Sequence, residues 1–121
     1  MLQRFIAPFS LALLLAAAEP AIDKAKKQQA EKKFDEAVST LDAAHKAKPK
    51  SVEIRKALAD AHMQAGDSYM YNESLPPFRK YPAALRHYRS TLRLDPKNKK
   101  AADNIAMIEG IYKQMGRPIP R

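Results

Sequence analysis

Four residue positions recur in one order at one spacing, and that recurrence constrains this chain more than its composition does. In residues 34–51 (FDEAVSTLDAAHKAKPKS) Phe34 is followed by Ala37, Leu41 and Pro49. In residues 81–98 (YPAALRHYRSTLRLDPKN) Tyr81 is followed by Ala84, Tyr88 and Pro96, and each proline lies 12 residues after its alanine. Steps of three and four residues keep the first three positions on one face of a helix. The proline ends it, because it disfavours helical geometry in the preceding residue and cannot continue the ladder. A small alanine lets a neighbouring helix come close, and the large residue one turn later fills the space beside it. Tyr81, Ala84, Leu85, Tyr88, Leu92 and Leu94 carry the apolar side of the second copy, whereas Arg86, Arg89 and Arg93 form a separate stripe. The spacing predicts tandem amphipathic helices, each covered by its neighbours.

The pattern resembles the tetratricopeptide repeat, through Tyr81, Ala84, Tyr88 and Leu94-Asp95-Pro96, and through Phe34, Ala37, Leu41 and Pro49. The first copy departs at its end, with Ala47-Lys48-Pro49 where Leu-Asp-Pro is usual. The resemblance implies an all-α fold: antiparallel helix-turn-helix repeats stacked as a short right-handed solenoid of about five helices. It divides the chain into a first repeat at about 19–51, a second at about 52–98, a capping helix at about 99–115 and an extended tail at 116–121. It also implies a scaffold that binds partners. In this family the first helix of each repeat lines a concave groove, which here points to Glu53, Lys56, Asp60 and Met63, then to Lys100, Asp103 and Met107. A mixed-charge groove with methionines suits a peptide or protein partner. A plain solvated helix face is the competing reading.

Pro49 and Pro96 stand 47 residues apart, 13 more than the usual repeat length of about 34. The surplus is residues 68–80, SYMYNESLPPFRK, placed between Gln64-Ala65-Gly66-Asp67, the expected end of the inter-helix turn, and Tyr81. Ser68 to Tyr71 read as an extension of the helix that begins at Val52. Residues 72–80, broken by Pro76-Pro77, read as a loop packed back on the stack. Mere slack would be polar and rich in glycine and serine, but this insert carries Tyr69, Tyr71, Leu75 and Phe78. Tyr69 and Leu75 are expected inward and Tyr71 or Phe78 partly exposed, so Tyr69, Tyr71 and Phe78 join the candidate partner contacts. The repeat copies align on either side of the insert, which is therefore expected to be dispensable for the helical stack.

Residues 1–18, MLQRFIAPFSLALLLAAA, have the form of an export signal: Arg4, an apolar run, and Ala16-Ala17-Ala18 as a small-residue cleavage site. The apolar run, residues 5–18, is shorter than the ~20 residues that span a bilayer as a helix. A cleaved signal and a periplasmic or secreted protein are expected, with an uncleaved membrane anchor as the alternative.

With 22 Lys and Arg against 13 Asp and Glu, the net charge is +9, spread along the whole chain. No aromatic-interleaved basic groove marks a nucleic-acid site. An anionic surface, such as membrane headgroups or a cell-wall polymer, contacted through Arg86, Arg89 and Arg93, is the second functional reading. A structural subunit of a larger assembly is the third. The absence of cysteine removes disulfides, thiolate metal sites and cysteine nucleophiles. Three glycines make no phosphate cradle. His45, His62 and His87 lack zinc-ligand spacing. His62 reads as a core histidine with a satisfied ring nitrogen, or else as a ligand or pH-sensing group. No cofactor or metal is expected and the chain is read as non-catalytic. The partner's identity and the oligomeric state are not written in these motifs.

Overall fold

A computed structural model describes residues 19–121, so the export signal read in residues 1–18 lies outside the described residues. Among the described residues there are five helices and no strands: α1 Pro20–Ala30, α2 Phe34–Ala47, α3 Val52–Met70, α4 Pro77–Leu94 and α5 Lys99–Gln114. Packing follows chain order, with the most extensive contact between α3 and α4. None of the helices is long and apolar enough to cross a membrane.

The helix ends are set by local chemistry. The Ser51 hydroxyl accepts from the Ile54 amide at 3.2 Å and starts α3. The Asn98 side-chain oxygen Oδ1 does the same for the Ala101 amide at 2.9 Å and starts α5. Gly116, at φ 65°, closes α5, with its own amide on the Lys113 carbonyl and that of Arg117 on the Tyr112 carbonyl. Lys32 plays the same part after α1 at φ 62°, a conformation that favours glycine. Beyond Gly116 the tail lies on the stack, with Ile119 partly buried against the core.

The core has two parts. Around the first repeat, Ala25, Ala37, Leu41, Leu58 and Ala61 form a thin, alanine-rich cluster. Around the second, Met63, Met70, Ala84, Leu85, Tyr88, Ala101, Ile108 and Tyr112 form a bulkier one. Tyr88 is 0% exposed and is the largest fully buried side chain. Its hydroxyl donates to Asp67 Oδ1 at 2.5 Å and sits 3.3 Å from Met70 Sδ. Burial first, then the Asp67 carboxylate, pushes its phenol far up, so it stays a donor. Gly66 makes room for the ring: a Cβ there would stand 2.7 Å from Tyr88 Cε1.

Three expectations require correction. Gly66-Asp67 is not a turn, because α3 runs through both residues to Met70. The loop expected over 72–80 is shorter, because Pro77 to Lys80 form the first turn of α4. Pro76 is its extended N-cap at ψ 157°, and Pro77 takes a first helical position, where a proline loses no hydrogen bond. The insert thus lengthens both arms of one helical hairpin. Met63, expected on the open groove face, is 7% exposed, because it packs into the second core cluster with residues of both α4 and α5.

Candidate partner-binding surfaces

The groove expected between the first helices of successive repeats is present between α3 and the start of α5. Asp60, Met63, Gln64 and Asp67 from one side face Asn98 and Lys100 from the other, around a cleft of about 370 Å³. A second cleft of about 290 Å³ adjoins it, lined by Arg55, Lys56, Ala59, Asp60, Leu94, Asp95 and Asn98. Lys56, Asp60, Met63 and Lys100 are therefore brought together, with Met63 as floor. Glu53, Asp103 and Met107 are exposed but line neither cleft. Asp103 pairs instead with Lys99 one turn away, at 2.8 Å. The cleft between α3 and α5 is mainly polar, with opposed charges, and the adjoining one mixes charged groups with the apolar surface of Ala59 and Leu94.

A second surface is built by the insert. The first turn of α4 brings Pro77 and Phe78 beside Tyr112, Met115 and Arg117 at the end of α5, enclosing about 440 Å³. Phe78 is 70% exposed and Met115 44% exposed, while Tyr112 beneath them is buried. Tyr71, in the turn of the same hairpin, is 64% exposed. Phe78 stood out in the sequence; Pro77, Tyr112, Met115 and Arg117 did not. Their signal was faint: Tyr112 and Met115 share a helix face one turn apart, just before the Gly116 stop.

Tyr69 is partly buried on the other side of the hairpin. Its hydroxyl donates to Asp35 Oδ2 of α2 at 2.5 Å, and that bond, more than burial, raises its phenol. Its ring stacks on His87 with centroids 5.7 Å apart and planes 13° apart. His87 Nε2 lies 3.3 Å from Asp35 Oδ1, and its Nδ1 lies 2.9 Å from His62 Nδ1. Two histidines 25 residues apart in sequence thus meet across the α3–α4 interface. His62 also lines a cleft of about 360 Å³ with Asp42 and His45 of α2 and Ser90 and Arg93 of α4. Among the described residues no group of three or more His, Asp or Glu is placed to hold a metal ion.

The arginine stripe follows α4. Arg86 and Arg93 are exposed and Arg89 is half-buried. Arg93 Nη2 donates to Ser90 Oγ at 2.8 Å, which holds it over the histidine-lined cleft.

Helix pairs that stack in chain order, share a core and leave grooves between elements define a helical-repeat scaffold. Residues 28–68 match the family model of the tetratricopeptide repeat, so this stretch of the chain is similar to that repeat. The match runs from the end of α1 through α2 and most of α3, and it stops where the insert begins. No curated protein and no solved structure matches the chain. Repeats of this family generally mediate protein–protein interaction.

Proposed function

We propose that this protein is a non-catalytic scaffold, exported from the cytoplasm, that holds a peptide segment of a partner protein against the insert-built cleft. The observation that carries this reading is the contiguous exposure of Phe78 and Met115 over buried Tyr112, with Arg117 at the margin. Large apolar side chains left open together mark interaction surfaces. The matching ligand presents an apolar anchor beside an acidic group: the anchor fills the cleft and Arg117 meets the carboxylate. The polar groove of Lys56, Asp60 and Lys100 then orients the rest of the segment.

Random-peptide display on the full chain tests this. Enrichment of acidic sequences with an aromatic or aliphatic anchor is expected, and Phe78→Asp should weaken their binding at least tenfold. Equal binding to wild type and Phe78→Asp would contradict the proposed site. Binding through Arg86, Arg89 and Arg93 to an anionic surface would instead fall steeply with added salt, whereas an apolar-anchored complex should depend on salt only weakly. Export rests on Arg4, the apolar run and the alanine triplet of residues 1–18. A mature N-terminus at Glu19 is the expected mass-spectrometric result, and an intact Met1 in the membrane fraction would contradict cleavage.

A further inference from the structure

We propose that His62 and His87, anchored by Asp35, form an acid-sensitive latch that ties α2 to α4 and opens when both rings carry a proton. The two Nδ1 atoms are 2.9 Å apart and the ring centroids 5.2 Å apart, near the largest separation such a contact allows. The nitrogens therefore point at each other along the line joining the rings, which is the geometry of one shared proton. An ionised carboxylate only accepts, so the Asp35 contact places a proton on His87 Nε2. Neutral His87 is then bare at Nδ1, and His62 Nδ1–H donates to it. One added proton is tolerated: His87 becomes an imidazolium that donates to His62, whose own proton moves to Nε2. A second leaves two N–H groups head to head with no lone pair between them, and the rings must part.

Parting reaches beyond the pair. His87 is stacked on Tyr69, and both reach Asp35 of α2, so one cluster joins side chains from α2, α3 and α4. Helices α2 and α4 are not among the helix pairs with substantial backbone packing, so their seam rests on side chains: this polar cluster, and Leu94 packed against the core cluster of Ala37 and Leu41. The groups facing the pair are Asp35, Asp42 and His45 from α2, Tyr69 from α3, and Arg86 and Arg93 from α4.

Burial, and then the charge of His87, lower His62 from its ordinary 6.5 to about 4; Asp42 opposes this and Arg93 adds to it. Burial also lowers His87, outweighing Asp35, so their contact at neutral pH is a hydrogen bond to a neutral ring. Since the fold prefers both rings neutral, the unfolded chain binds more protons as pH falls below 6.5. The stabilisation is complete above 6.5 and drains as pH falls toward about 4.

Histidine-resolved nitrogen NMR on the full chain tests the latch. At neutral pH, Nδ1 protonation of His62 and Nε2 protonation of His87 are expected. On acidification, His62 should titrate near pH 4, with the Tyr69 ring signals moving in step, and His62→Gln should abolish that coupled movement. His45→Gln should leave it in place. Titration of both histidines near 6.5, with Tyr69 signals unmoved, would overturn the proposal. That wild-type result decides the matter even if His62→Gln fails to fold.

Discussion

Tyr88→Ala is expected to destabilise the protein by about 3–5 kcal/mol, the range seen when a buried aromatic is truncated and its space does not collapse. Collapse is hindered here because the ring lies between fixed backbones. It rests edge-on to Gly66 of α3, and its hydroxyl is held by Asp67 one residue later. Truncation would also leave Asp67 without that donor and Met70 without the ring it packs against. Domains of this size are stable by only about 5–15 kcal/mol, so the variant should melt far below the wild type. Tyr88→Phe keeps the ring and loses only the hydrogen bond, so a cost of about 1 kcal/mol is expected. Thermal unfolding followed by circular dichroism checks both. Equal melting of Tyr88→Ala and wild type would mean that this tyrosine does not join α3, α4 and α5.

Removing residues 68–80 and joining Asp67 to Tyr81 should have two separable effects. Seven of the thirteen residues are helical, 68–70 in α3 and 77–80 in α4, so most of the circular dichroism should survive. Stability should nevertheless fall by about 2–5 kcal/mol, because Met70 is 6% exposed and belongs to the core around Tyr88. Peptide binding should be lost, since Phe78 and Pro77 supply one wall of the apolar cleft. The insert is thus more than an accessory: its inner face completes the core and its outer face forms the surface. Complete loss of helicity would show that the two repeats cannot form without it. Retained peptide binding would place the site elsewhere.

The repeat itself was legible because its signal is periodic and redundant. Ala37 and Ala84, equivalent in the two copies, are both 0% exposed, and so is Tyr88. The insert's burial pattern was also legible: Tyr69 and Leu75 are partly buried, whereas Tyr71 and Phe78 are open. Its backbone was harder to read. Gly66-Asp67 carries turn chemistry, but Met70 one turn later has core to bury, and tertiary packing outweighs one glycine's helix penalty of about 1 kcal/mol. Pro76-Pro77 was ambiguous in principle, because the same pair that ends a helix can begin one. Met63 was misplaced by treating α3 as having one buried stripe, whereas this central helix is covered on several sides. The cleft of Phe78, Tyr112 and Met115 and the pair of His62 and His87 join residues far apart in sequence. Nothing local announces either meeting.

Docking of a partner's peptide where the insert meets the end of α5 is the proposal on which the functional reading rests. Its most direct test is an NMR titration of the isotope-labelled full chain with the tightest peptide from the display selection. Saturable shifts confined to Phe78, Tyr112, Met115, Arg117 and their neighbours, and lost in Met115→Asp, are the predicted result. Shifts that instead follow Arg86, Arg89 and Arg93 and disappear with added salt would contradict the account.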